Sequence, residues 1–334
     1  MELSEKSKMS APFFSAVFSF KNEETNLPEL IRRMRAVLDE ERSKGNISGH
    51  ELIFVNDAST DRSLEILQEE LNRRNDIKII NMSRTFGVSP CVFAGLSYSS
   101  GDVVVYMDAD LQDPPELIPE MLRVWREKGA DIVHTVRLSR TGESKIKLLI
   151  TRLGYYILKK ATNINLIPNA GDFKLLSRRV VNHLLKLNEK KPFMRGLVQW
   201  VGFKQEIVHY HRQARYSGDT KFPVLSSKVI RNFLESALIS FSDIPLYMVS
   251  LAGLIVSMGS FVFLVYVIIQ KFLGHNLPGW SAIMVTMLFL GGVQLISLGI
   301  IGLYISTIYL ETKGRPNYIV ESTIGFEKDK NTKV

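Results

Sequence analysis

Along the first 137 residues, short apolar runs alternate with stretches whose apolar positions recur every three or four residues. The runs at 13–20, 51–56, 77–82, 102–107 and 131–136 read as strands. The segments between them, 28–42, 63–73, 90–99 and 115–128, read as helices. In the first of these, Leu30, Ile31, Met34, Val37 and Leu38 fall near helical spacing. Asp57-Ala58-Ser59-Thr60-Asp61 supplies N-cap chemistry for the helix at 63–73. Strands and helices in strict alternation predict an α/β fold with a mostly parallel sheet flanked by helices.

After Arg137 the pattern changes. Residues 145–162 (KIKLLITRLGYYILKKAT) are basic and amphipathic, which suits a helix lying at a membrane surface. An ordinary domain helix with a solvated basic face is the alternative. Residues 222–243 have similar character and read as a juxtamembrane helix. Neither 244–270 nor 276–310 carries a charged residue. Each exceeds the roughly 20 residues needed to cross a bilayer core of about 30 Å. A hairpin buried in a soluble core is the competing reading. The expected division is therefore a cytoplasmic catalytic domain over 1–220, an interfacial segment over 221–243 and spans over 244–270 and 281–310. A short external loop at 271–280 and a tail at 311–334, charged and disordered from 327, complete it.

Charge sets the expected topology. Lys221, Lys228 and Arg231 precede the first span, Lys313 and Arg315 follow the second, and the loop between holds one Lys and one His. The positive-inside rule puts both termini in the cytoplasm and the chain in the inner (plasma) membrane. The first ten residues are polar, and no cleaved leader is expected. Cys91 is the single cysteine, which excludes disulfides within the chain and argues against Cys-based metal sites. A net charge of +8 suits nucleic acid, anionic lipid or phosphorylated substrates. With two spans attached, lipid and phosphate are preferred and no nucleic-acid partner is expected.

The candidate chemistry centres on Asp108-Ala109-Asp110-Leu111-Gln112-Asp113-Pro114-Pro115-Glu116, which follows the strand at 102–107. Ligands of open α/β sheets bind outside the carboxyl ends of strands. Two carboxylates one residue apart at such an end can hold a hard divalent cation, which can in turn bind a diphosphate. Asp113 can share that work, but its place before Pro114-Pro115 favours a helix N-cap. His209-Tyr210-His211 alternates like a strand and reads as surface or packing rather than a metal pair. Trp200 reads as core or interface packing. No dinucleotide fingerprint or Walker A loop occurs.

From about Phe13 to Val320 the chain resembles family 2 glycosyltransferases of the GT-A fold, and among them the polyprenyl-phosphate glycosyltransferases of the bactoprenol glucosyltransferase branch. The matching segments are Lys21-Asn22-Glu23-Glu24, Val55 to Asp61, Arg84-Thr85-Phe86-Gly87, Asp108 to Glu116 and Asn169 to Phe173. Arg195-Gly196, Trp200-Val201-Gly202 and Gly218 to Phe222 complete the set. The resemblance implies that Glu23 and Asp57 hold the nucleotide and that Asp108, Asp110 and Gln112 surround a metal and the diphosphate. Arg137 and Arg152 match positions that grip a lipid phosphate, and Asp172 matches an acidic position near the transferred sugar. Departures include Ser19 for a usual Pro, Lys21 for an aromatic, Lys174 for an Arg, and the loss of two charges within Gly302 to Thr307.

The expected activity is an inverting transfer of a hexose, glucose from UDP-glucose, to undecaprenyl phosphate at the cytoplasmic face. The expected cofactor is Mg²⁺ or Mn²⁺, and the resemblance implies a homo-oligomer, since relatives assemble through their membrane helices. Arg84 is a further candidate for the nucleotide, against a purely structural turn. A lipid monophosphate is largely dianionic at neutral pH and needs no strong base, only cations to offset like charge. Arg137, Arg140, Arg152 and Lys221 are the candidates for that role. The family analogy makes Asp172 a base, whereas this argument makes it a positioning group. A processive polysaccharide synthase would need a Gln-x-x-Arg-Trp motif and more spans, neither of which is present. A non-catalytic scaffold binding nucleotide sugar is the rival outside enzymology, and intact Asp108 and Asp110 argue against it.

Overall fold

The computed structural model describes residues 10–138, 167, 170–187, 189–190, 192–211, 244–273 and 279–326. Described residues 10–138, 167, 170–211 and 316–326 belong to one compact unit, and 244–273 with 279–315 to a second.

The first unit is an eight-stranded sheet. Strands β1 (Phe13–Phe20), β2 (Gly49–Asn56), β3 (Ile77–Met82) and β4 (Val103–Asp108) run parallel in the order β4-β1-β2-β3. Helices α1 (Leu27–Ser43), α2 (Ser63–Arg73) and α3 (Val88–Tyr98) connect them, and α4 (Ile118–Lys128) leads to β5 (Ile132–Arg137). The strands and helices expected over residues 13–137 are all present. β2 and α3 each start two residues earlier than expected, α3 because Gly87 at φ 97 turns the chain directly into it. Beyond β5 lie β6 (Ala170–Ser177), α5 (Arg178–Leu184), α6 (Met194–Trp200) and β7 (Gln205–Tyr210). β6 inserts antiparallel between β4 and β5, and β7 lies parallel on the far side of β5.

The strands carry near-continuous apolar runs because both faces of the sheet are covered. Phe14, Phe18, Leu52, Phe54, Val105 and Phe173 are all fully buried. α1 lays Leu30, Ile31, Met34 and Leu38 on one face, and α3 crosses the other closely enough that a Cβ on Gly95 would meet Val17 at 2.2 Å. Because β1 pairs with both β2 and β4, the strand order reverses there. Such a switch point opens a crevice at the carboxyl ends of the strands.

The eighth strand, β8 (Val320–Ile324), pairs antiparallel with β3, although the whole second unit precedes it in sequence. Sequence reading placed these residues in the tail at 311–334 and assigned them no strand. Asn81 Nδ2 donates to Ser322 Oγ at 3.0 Å, and Tyr98 packs edge-on against Phe326 at 5.3 Å.

The second unit contains α7 (Ile244–Phe272) and α8 (Trp280–Thr312). Both are long and apolar enough to cross a membrane. Neither apolar stretch is buried within the protein, and Leu251, Ile255, Met258, Phe261, Leu295 and Ile296 are all exposed. That exposure counts against the soluble-core alternative, since soluble proteins rarely expose so large a contiguous apolar surface.

The surface-helix readings at 145–162 and 222–243 fall outside the described residues, as does the charged end from 327.

Candidate active site

The described residues with positive φ other than glycine are Asn22 (53°), Ala58 (56°) and Leu111 (58°). Each follows the carboxyl end of a parallel strand, β1, β2 or β4 respectively. Left-handed backbone is costly for a residue with a side chain and collects at functional loops. The switch-point crevice is thus built with local strain on three of its walls.

The loop after β2 is tied to the loop after β3. Asp57 accepts the Phe86 amide at 2.7 Å on one carboxylate oxygen and the Gly87 amide at 3.1 Å on the other. Arg84 lies 4.1 Å over the Phe86 ring, and Lys21 Nζ donates to Thr85 Oγ1 at 2.7 Å. Lys21, a departure from the family pattern, therefore helps to hold this loop. Glu23 is buried, its carboxylate accepts Asn26 Nδ2 at 2.5 Å and its amide donates to Ser63 Oγ at 3.0 Å. These contacts bring the expected nucleotide residues Glu23, Asp57 and Arg84 to one end of the sheet.

Asp108 is the last residue of β4, and the side chain of Ser19, a second departure, donates to it at 3.4 Å from the end of β1. The turn through Leu111 lets Asp110 accept the Gln112 amide at 3.2 Å. Burial, followed by repulsion from Asp172, Asp110 and Asp113, pushes the Asp108 carboxyl up to about 7. Such a concentration of carboxylates suits a hard cation, and Asp108, Asp110 and Gln112 offer only oxygen donors on their side chains. Among the described residues no three His, Cys, Asp or Glu side chains form a preassembled cation site.

Asp172 has the opposite surroundings. It lies in β6, and Arg195 from α6 clasps it with Nε at 2.9 Å and Nη2 at 2.5 Å. Burial would raise this carboxyl, but the Arg195 guanidinium overrides it and holds the group well below the usual carboxylate range. Arg195 stood within a matched segment yet received no role from sequence, because its partner is 23 residues away on another element. Beneath them is Lys174, fully buried and donating to the Gly171 carbonyl at 2.7 Å. Burial lowers Lys174 to about 8 even though Asp172 pulls it the other way.

A cavity of about 190 Å³ joins the two carboxylates, with Asp108, Asp172, Arg195, Tyr106, Ser89 and Phe193 among its walls.

Arg137 ends β5 and is held in place. Its Nε donates to the Tyr210 hydroxyl at 3.1 Å, and its Nη2 lies 3.8 Å from Asp113. Tyr210 in turn donates to Asp113 through a short hydrogen bond. Asp113 is thus no N-cap, which corrects the sequence reading: the following turn, Pro115–Leu117, has Pro114 at its cap position and no side-chain cap. Gly171 makes room for the guanidinium, since a Cβ there would meet Arg137 Nη2 at 2.9 Å. Of the other lipid-phosphate candidates, Arg140, Arg152 and Lys221 lie outside the described residues. His209 and His211 are exposed, as expected for surface histidines. Trp200 is 59% exposed, so its packing is not in the core.

Residues 15–185 match the model of glycosyl transferase family 2. An uncharacterized glycosyltransferase of Bacillus subtilis is 41% identical, over 94% of this chain and 95% of its own. A prophage bactoprenol glucosyl transferase homolog of Escherichia coli is 34% identical, over 92% and 98%. Among solved structures, glucosyl-3-phosphoglycerate synthase from Mycobacterium tuberculosis is 21% identical over 68% of this chain and 80% of that one, with a TM-score of 0.46. With its α/β sheet and the matches across nearly its full length, the chain belongs to glycosyl transferase family 2.

Proposed function

We propose that this protein is an inverting hexosyltransferase that moves glucose from UDP-glucose onto undecaprenyl phosphate at the cytoplasmic face of the plasma membrane. The observation that carries the reading is the pairing of Asp108, raised among carboxylates, with Asp172, neutralised by Arg195, across one small cavity. The relatives named as bactoprenol glucosyl transferases support the lipid acceptor and the sugar.

In this reading Glu23, Asp57 and Arg84 hold the nucleotide, while Asp108, Asp110 and Gln112 hold Mg²⁺ or Mn²⁺ beside the diphosphate. A bound divalent ion stabilises the charge that develops on the departing diphosphate. Arg137, oriented by Tyr210 and Asp113, faces the acceptor phosphate, with Arg140, Arg152 and Lys221 as further cations. The acceptor oxygen attacks the anomeric carbon in line and the diphosphate leaves, so one displacement inverts the configuration. Asp172, held ionised by Arg195, is too weak a base to matter in this step and instead positions the sugar.

The sheet supports the topology. β8 follows both long helices and β3 precedes them, yet the two pair in one sheet. In this reading the segments before and after the helices share one side of the membrane, and flanking Lys and Arg favour the cytoplasm. Assembly of several copies through α7 and α8 belongs to the same proposal.

The test uses purified protein in detergent with undecaprenyl phosphate, Mg²⁺ or Mn²⁺ and a panel of UDP- and GDP-sugars. Mass spectrometry should find a lipid-linked hexose with UDP-glucose. Nucleotide binding without any lipid-linked product would contradict the reading.

A further inference from the structure

Tyr106 is 1% exposed, and among the described residues its hydroxyl has no hydrogen-bond partner. Phenylalanine would fill the same space without burying an unmatched polar group, and burying one has a cost. The residue is not loosely placed. It sits in β4 between Val17 of β1 and Lys174 of β6 in the sheet ladder, with Lys174 Nζ 5.8 Å from the ring centroid. Its position also puts it on the wall of the cavity that Asp108, Asp172 and Arg195 share.

That cavity has a mixed lining. Val88, Val92 and Met194 offer apolar surface, while Ser89, Asp172 and Arg195 offer polar groups. At about 190 Å³ it is small beside the roughly 300–1,000 Å³ of sites that take a whole drug-sized ligand. Its size and lining suit one sugar ring, with C–H faces against the apolar side chains and hydroxyls toward the polar ones.

We propose that Tyr106 is a specificity-determining residue, whose hydroxyl forms a hydrogen bond with one hydroxyl of the transferred hexose seated in this cavity. The proposal rests on the hexosyltransferase reading above and adds to it the group that recognises the sugar. A site that hydrogen-bonds a substrate hydroxyl discriminates strongly against an analogue lacking it, because its own polar group is then left unmatched.

The experiment compares the full-length protein with Tyr106→Phe, using UDP-glucose and its 2-, 3-, 4- and 6-deoxy analogues with undecaprenyl phosphate. The wild type should lose about 10–100-fold in kcat/KM on one deoxy donor. Tyr106→Phe should lose a similar factor on UDP-glucose and nothing further on that same deoxy donor. Equal losses by the variant on every donor, or unchanged discrimination, would overturn the proposal. Calorimetry provides an arm independent of turnover: UDP-glucose should bind the wild type more tightly than UDP does, and Tyr106→Phe should reduce that margin while UDP affinity stays the same. Identical margins in the two proteins overturn the role of Tyr106, whereas UDP-sugar binding without turnover overturns the hexosyltransferase reading instead.

Discussion

The end of β4 and the start of β6 place two carboxylates on one cavity and treat them in opposite ways. Asp108 is buried among Asp172, Asp110 and Asp113, and its carboxyl rises to about 7. Asp172 is clasped by Arg195 and stays well below the usual range. Environments that push paired carboxylates apart assign them different roles. Among the described residues the first is faced mainly by other carboxylates, with the Arg195 charge a smaller opposing influence, and in the proposed reading it meets an external cation. The second already has its cation, so it can orient a substrate but is poorly suited to take a proton.

The largest expected effect comes from weakening the acidic side. Asp110→Asn should lower kcat by about 10³-fold or more, because charge on the leaving diphosphate goes unmet. Its affinity for Mn²⁺, measured by titration, should fall with it. Next is the clasp. Arg195→Met leaves Asp172 without its partner and should cost about 10²-fold in kcat/KM. Asp172→Asn with Arg195→Met together should cost less than the product of the two single changes, as expected for groups in contact. Strict multiplication of the losses in steady-state assays would show that the pair does not act as a unit.

Tyr210→Phe comes third. Removing its hydroxyl frees Arg137, so KM for the lipid phosphate should rise about 10-fold, roughly the worth of one charge-assisted hydrogen bond. Nucleotide binding should not move, and a parallel change in both would contradict the bracket.

The smallest effect on activity is at His134, fully buried beside Lys174. Burial, then the Lys174 charge, lowers its imidazole to about 4. Between that value and the unfolded value near 6.5 the unfolded chain binds more protons. Stability is therefore complete above about pH 6.5 and lost as pH falls toward 4, by up to about 3 kcal/mol. His134→Gln should flatten that acid-side decline in melting temperature while leaving turnover at neutral pH nearly unchanged.

What sequence made legible follows the range of the interactions. The first five strands and their helices were readable because period and length are local properties, and they put Asp108 and Asp110 at a strand end. The Asp113 cap failed for the same reason. Pro114-Pro115 is a local signal, while its actual partner Tyr210 is 97 residues away. β8 was invisible because a short Glu-Ser-Thr segment gains strand character only by pairing with β3, more than two hundred residues earlier. Arg195 and Tyr106 could be seen in the sequence but not interpreted. A guanidinium and a phenol become site groups only when β4, β6 and α6 bring them to one cavity.

The most direct test of the opposed carboxylates is turnover of Asp172→Asn beside Asp110→Asn, with UDP-glucose and undecaprenyl phosphate across pH 6 to 9. If Asp172 positions the sugar, its variant keeps measurable turnover, about 10–100-fold below wild type, with the pH profile unshifted, while Asp110→Asn is nearly inactive. Equal, near-total losses in the two variants would contradict the account and make Asp172 the base.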